Sequence, residues 1–129
     1  MRFISRKFHA VLDYIAGILL IASPWLFNFA DIGSAKWVAI IVGILIIGMS
    51  LMTDYEGGGK KMISMSGHLT MDVITGIFLA VSPWLFNFDE FVYLPHLIIG
   101  IMEIVAGLCT ERTSQHSRGH TDRNISPAH

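Results

Sequence analysis

The sequence predicts an all-α integral membrane protein with four transmembrane helices, built from two two-helix repeats that enter the membrane in the same direction. Three observations predict it. The first is an internal repeat. Residues 9–29 and 68–88 match at an offset of 59, with 13 of 21 positions identical, among them a His, an Asp, a Gly and the whole Ser-Pro-Trp-Leu-Phe-Asn-Phe end. Self-similarity at a fixed period sets the architecture before any local pattern does. The second is composition: 53% of residues are hydrophobic and 15% charged, against roughly a quarter charged in soluble domains. The third is contiguity. Residues 14–30 and 37–53 each run 17 positions without an acid, Lys or Arg; 73–88 run 16; and 91–110 run 20, broken only by Glu103.

A bilayer core of roughly 30 Å takes about 20 residues of helix. The first three runs reach that length once Asp13 and Asp72 are counted inside, near one end. The expected spans are about 8–29, 37–53, 68–88 and 92–110. They divide the chain into an N-terminus (1–7), a first repeat (8–53), a glycine-rich linker (54–67), a second repeat (68–110) and a polar tail (111–129). A soluble bundle would need a polar stripe at the helical period, and residues 40–47 have none. Arg2, Arg6 and Lys7 ahead of an apolar run also fit a signal peptide. Asp13 interrupts that run, however, and the same segment recurs at residue 68, so the first helix is expected to be retained.

Charge sets the orientation. Eight of the nine Lys and Arg residues lie before helix one, between helices two and three, or after helix four; only Lys36 falls on the other side. The positive-inside bias puts both termini and the linker in the cytoplasm. The opposite loops, 31–36 and 89–90, are short, which makes helices one and two antiparallel neighbours, and likewise three and four. Two spans per copy relate the copies by a pseudo-two-fold axis along the membrane normal. In the linker, Gly57, Gly58 and Gly59 follow no strand and lack phosphate-loop spacing, so they read as a flexible joint. The tail carries His116 and His120 at metal-compatible spacing, but Gly119 and the polar composition favour disorder. The single cysteine, Cys109, excludes an intramolecular disulfide and a cysteine-cluster metal site. Its place at the end of helix four is compatible with palmitoylation. A net charge of −1 with no basic stripe gives no sign of a nucleic-acid partner.

Pro24 and Pro83 fall near the outer ends of helices one and three. Each removes a donor and frees the carbonyl four residues back, which predicts a kink, with Ser23 or Ser82 taking the freed carbonyl. Alternatively Ser23 caps, and Pro24 starts, a separate interfacial helix. The first helix would then stop at about 15 residues, roughly 22 Å, too short to span. Trp25, Trp37 and Trp84, with Phe27, Phe29, Phe86, Phe88 and Tyr93, are expected to form an aromatic belt at the outer interface. A quinone- or lipid-binding aromatic pocket is the sharper reading of the same residues.

Two Ser-Pro-Trp tripeptides, Ser23-Pro24-Trp25 and Ser82-Pro83-Trp84, at matching depth in matching helices, with a paired His and Asp upstream, resemble the bacterial SPW-repeat membrane proteins. The resemblance covers roughly residues 6–110. It implies a multi-pass bacterial membrane protein and brings no catalytic residues with it.

His9, Asp13 and Gly17 recur as His68, Asp72 and Gly76 at i, i+4, i+8, one stripe along a helix. Glycine permits close helix approach, so Gly17 and Gly76 are expected where helices one and three meet. Acids inside apolar spans are costly and face the bundle interior with a partner. Helices two and four align at an offset of 57, pairing Gly43 with Gly100 and Thr53 with Thr110, and Glu103 then matches Ile46. By helical rise Glu103 lies about 10 Å above Thr110 and Asp13 about 9 Å above Lys7. This allows the three acids to share one level, and at least two of them are expected to face the interior within reach of His9 or His68.

The leading reading is a non-enzymatic inner-membrane protein, a structural or accessory subunit. Each His pairs with its own Asp, and the partners are the bilayer and another membrane protein or a second copy of the chain. The alternative is a small proton or ion conductor using His9, Asp13, His68, Asp72 and Glu103. Metal catalysis ranks third, because the Glu-x-x-His motif of di-metal bundles is absent. No nucleophile, cofactor fingerprint or cofactor is indicated.

Overall fold

A computed structural model describes residues 3–53 and 64–110. They form four helices: α1 (Arg6–Leu26), α2 (Gly33–Met52), α3 (Met65–Leu85) and α4 (Leu94–Cys109). Among the described residues an isolated bridge joins Ile4 to Thr110, where the Ile4 amide donates to the Cys109 carbonyl at 2.9 Å. The start of the first repeat is thus tied to the end of the second. Three helices, α1 to α3, are long and apolar enough to cross a membrane. α4 is shorter: 16 residues, about 24 Å. The glycine joint at 57–59 and the tail with His116, His120 and His129 lie outside the described residues.

Helix boundaries follow local chemistry that the hydropathy runs do not carry. α1 and α3 begin earlier than expected because Ser5 and Ser64 cap them. Their hydroxyls accept from the Phe8 and Gly67 amides, both at 3.1 Å, and satisfy donors the helix leaves orphaned. α3 therefore starts inside the segment expected to be linker. α2 starts at Gly33, ahead of Trp37, so Lys36 joins its first turn with its ammonium 5.1 Å from the Trp37 ring centre. α4 starts at Leu94 with Pro95 in its first turn, where a missing N–H costs nothing.

The two Ser-Pro-Trp-Leu-Phe-Asn-Phe segments are helix terminators. The helix runs through each proline to Leu26 or Leu85. The carbonyls the prolines free are those of Leu20 and Leu79, and the Ser23 and Ser82 hydroxyls donate to them, each at 2.7 Å. Asn28 and Asn87 then take the left-handed conformation, φ 59° and 56°, which asparagine tolerates. The Phe29 and Phe88 amides reach back to the Pro24 and Pro83 carbonyls at 2.8 Å, the six-to-one bond of a Schellman stop. This geometry splits the aromatic residues. Trp25, Leu26 and Phe27 face outward, as do Trp84, Leu85 and Phe86, whereas Phe29 and Phe88 are buried at 2% and 1% exposure. The expected belt therefore loses these two. The left-handed residue reverses the chain and turns the following side chain into the core.

α1 packs along α2 and α3 along α4. Glycine pairs set each crossing. A Cβ on Gly43 would lie 2.7 Å from the Gly17 carbonyl oxygen, and one on Gly76 or Gly100 would lie 2.7 Å from the other's. The expectation that Gly17 and Gly76 join α1 to α3 is corrected: each glycine packs within its own repeat. The short loops force consecutive helices together, and that is where the close approach falls. α1 and α3 instead meet nearer their N-terminal ends, where Ala10, Met65 and Leu69 cluster. The main core joins Leu20, Phe29, Ala39, Val42, Ile46, Leu79, Phe88 and Ile99 from all four helices and both turns.

Candidate functional site

The second helices of the repeats bury the same positions. Ala39, Val42, Gly43, Ile46, Met49 and Ser50 of α2 are buried, and at the offset of 57 so are His96, Ile99, Gly100, Glu103, Ala106 and Gly107 of α4. α1 and α3 likewise bury their His–Asp–Gly stripes. The four inward faces converge near the start of α1 and α3 and the end of α2 and α4.

There, His9, Asp13, His68 and Asp72 form a quartet with no measurable exposure. One ligand-capable atom from each lies within 4.8 Å of all the others. The shortest contacts cross between repeats. His9 Nε2 is 2.8 Å from Asp72 Oδ2, and His68 Nε2 is 2.8 Å from Asp13 Oδ2. Each His also stands 3.2 Å from an oxygen of its own Asp. Each His thus meets its own Asp as expected, but its shorter bond is to the Asp of the other repeat. One helical turn stacks the two side chains on one face, but the facing helix offers a carboxylate in line with the ring nitrogen. The rings meet edge to face, 5.5 Å between centres.

Thr53 and Thr110 fix the imidazoles from behind. Each hydroxyl donates to the carbonyl four residues back, Met49 at 2.5 Å and Ala106 at 2.6 Å. A hydroxyl has one proton, so toward the imidazole it can only accept. His68 Nδ1–H therefore donates to Thr53 at 2.6 Å, and His9 Nδ1–H donates to Thr110 at 2.8 Å. With Nδ1 protonated, each 2.8 Å Nε2–carboxylate contact must hold one more proton, because two lone pairs would repel there. The quartet thus keeps two protons between two imidazoles and two carboxylates and is neutral as a whole. That is how a low-dielectric interior tolerates four ionisable groups.

The repeats differ around this neutral centre. The Ser50 hydroxyl donates to Asp13 Oδ2 at 2.9 Å. Its counterpart is Gly107, whose missing Cβ would stand 2.9 Å from the Leu69 carbonyl and 3.3 Å from Asp72 Cβ. Asp72 Oδ1 is buried with no hydrogen-bond partner among the described residues, whereas Asp13 Oδ1 stands 3.2 Å from His9 Nε2.

Glu103 is buried at 1% exposure but is not one of the quartet. Its Oε2 is buried without a hydrogen-bond partner among the described residues.

Toward the opposite end sits a residue the sequence reading passed over. His96 is fully buried between Phe29 and Phe88, with ring centres 5.4 and 4.8 Å away. Its Nε2 donates to the Ala35 carbonyl at 3.0 Å. The signal was a histidine inside an apolar run, one helical face with Gly100, Glu103 and Gly107.

A family model, the SPW repeat domain, matches residues 7–110. The chain belongs to the SPW-repeat family. The tripeptide shared by its two repeats is the helix terminator described above, so the family signature here marks a stop and a turn, not a reactive centre. No curated protein and no solved structure matches this SPW-repeat chain. The apolar helices and the family together mark it as a membrane protein.

Proposed function

We propose that this chain is a four-span protein of the bacterial inner membrane, with both termini cytoplasmic, that acts as a structural or accessory subunit. Its His–Asp quartet is a clasp joining the two repeats, related by a pseudo-two-fold axis along the membrane normal. The observation that carries this is the crossing of the quartet: His9 bonds Asp72 while His68 bonds Asp13, in a fully buried setting. Outward positions support the bilayer as solvent: Ile15, Ile18, Ile41, Ile44, Ile74, Ile77, Ile98 and Ile101 are all exposed. These exposed aliphatic faces suit a partner within the bilayer, a second membrane protein or a copy of the chain.

Topology is tested by single-cysteine labelling of intact cells in a Cys109→Ser background. Positions 33 and 90 label from outside, whereas 58 and 120 do not; labelling at 58 would overturn the arrangement.

Glu103 favours a second reading, a proton or ion conductor, because a buried carboxylate oxygen without a partner near an acid–histidine cluster is a common element of such paths. Proton flux into liposomes decides between the two. A flux in wild type that Glu103→Gln abolishes at unchanged thermal stability supports conduction. No flux in either protein supports the clasp.

A further inference from the structure

We propose that the quartet is a divalent transition-metal site, a zinc-type centre with His9 Nε2, His68 Nε2 and one oxygen each from Asp13 and Asp72 as its four ligands. The proposal rests on the clasp reading and adds the ion at its centre. Three observations carry it. First, both imidazoles turn Nε2 to the centre and anchor Nδ1–H outward on Thr110 and Thr53. A ligating histidine needs such an anchor, because the bond on the far nitrogen fixes the tautomer and aims the lone pair. Second, the carboxylates keep spare capacity inside. Among the described residues Asp72 Oδ1 is buried with no hydrogen-bond partner, Asp13 Oδ1 meets only the His9 imidazole, at 3.2 Å, and both aspartates are fully enclosed. Third, the spacing is close to that of a filled site. The four ligand-capable atoms lie within 4.8 Å of one another. Metal–ligand bonds of about 2.0–2.1 Å put tetrahedral ligands about 3.3 Å apart, so the 2.8 Å cross contacts open by about half an ångström while the widest pairs, up to 4.8 Å apart, close by up to about 1.5 Å.

The chemistry narrows the ion. Two imidazoles with two carboxylates make a nitrogen–oxygen set that suits zinc, and the same set takes cobalt(II) or nickel(II). Magnesium and calcium prefer six or more oxygens. Charge closes as well: two carboxylates and one divalent cation sum to zero, as an apolar surround requires. Four protein ligands in a sealed place leave no open position, the pattern of a structural metal rather than a catalytic one. The ion would tie all four ligands, and hence both repeats, at one point.

The test uses the full chain purified in detergent, with His116, His120 and His129 replaced by Gln so that tail histidines contribute nothing. Cobalt(II) is the probe. The expected result is one cobalt per chain by elemental analysis, with the intense visible bands of a tetrahedral ion and their displacement by one equivalent of zinc. Asp72→Asn keeps the side-chain shape and should weaken cobalt binding at least tenfold. Wild type carrying zinc should melt several degrees above chelator-stripped wild type, a comparison that needs no variant. Absence of stoichiometric cobalt from a folded protein overturns the metal site. If the repeats still come apart in Asp72→Ala, the clasp stands without it. Tight cobalt binding combined with full stability of Asp72→Ala would instead overturn the clasp and keep the metal.

Discussion

The first helices of the two repeats, α1 and α3, keep one common set: each brings a His, an Asp, a packing glycine and a Ser-Pro-Trp stop to equivalent places, although Arg6, Ala10 and Ala16 stand where α3 buries Met65, Leu69 and Thr75. Their second helices bury the same six positions but fill three of them with different chemistry: Ala39 against His96, Ile46 against Glu103, Ser50 against Gly107. The duplicated layer builds the reciprocal centre, in which every contact has its mirror. The diverged layer breaks the mirror around it. The lesson is that symmetry here is conserved where two copies must satisfy each other and relaxed where only one copy supplies a group.

The largest effect is expected at the centre. Asp13→Ala and Asp72→Ala each strand a buried histidine, and removing one partner of such a pair costs about 3–5 kcal/mol. Denaturant unfolding in detergent should show both losses, with the double variant losing less than their sum because the four groups act together. A full sum would mean two independent pairs instead of one reciprocal unit. The glycine crossings come next. Gly43→Ala and Gly100→Ala drive a methyl to within 2.7 Å of a facing carbonyl and should cost about 1–3 kcal/mol. Gly48→Ala in the same α2 meets nothing within 4 Å and should be neutral or stabilising by up to about 1 kcal/mol.

Symmetrising the diverged layer sharpens the comparison. Glu103→Met replaces a buried acid with an apolar chain of similar volume, as Ile46 already is in the first repeat, and should stabilise by about 1–2 kcal/mol. A loss of stability in the same unfolding assay would show that Glu103 contributes to the fold. The smallest effect belongs to Ser50→Ala, which deletes one hydrogen bond to Asp13, worth about 0.6 kcal/mol within a membrane bundle. It should lower the melting temperature slightly and bring the Asp13→Ala and Asp72→Ala losses closer together.

Much of this was legible in the residues. The repeat announced four helices, and Pro24 with Ser23 announced both the freed carbonyl and the hydroxyl that takes it. The offset of 57 paired Thr53 with Thr110, and those are the anchors behind the two imidazoles. What the linear pattern lacked was partner choice. His9 and Asp13 share a face at one turn, so the sequence pairs them, whereas the docking of one repeat on the other decides that Asp72 sits closer. Gly17 reads as a contact point but not as a contact with α2. Phe29 and Phe88 read as belt residues because the left-handed turn at Asn28 and Asn87, which redirects them, is a backbone property. His96 was hidden because its fixed neighbours, Phe29, Phe88 and the Ala35 carbonyl, come from distant segments.

The crossed pairing has a consequence for how such a chain can arise. One two-helix unit already carries both halves of the bond, a histidine that gives and an aspartate that takes, at a separation that stops it from closing best on itself. Two copies of the stripe complete each other without any further residue type, since His9 meets Asp72 and His68 meets Asp13. Joining the halves into one polypeptide fixes the stoichiometry and frees each half to drift. Glu103, His96 and Gly107 each occur in one repeat alone, where the other has Ile46, Ala39 and Ser50, an asymmetry that two identical units could not show.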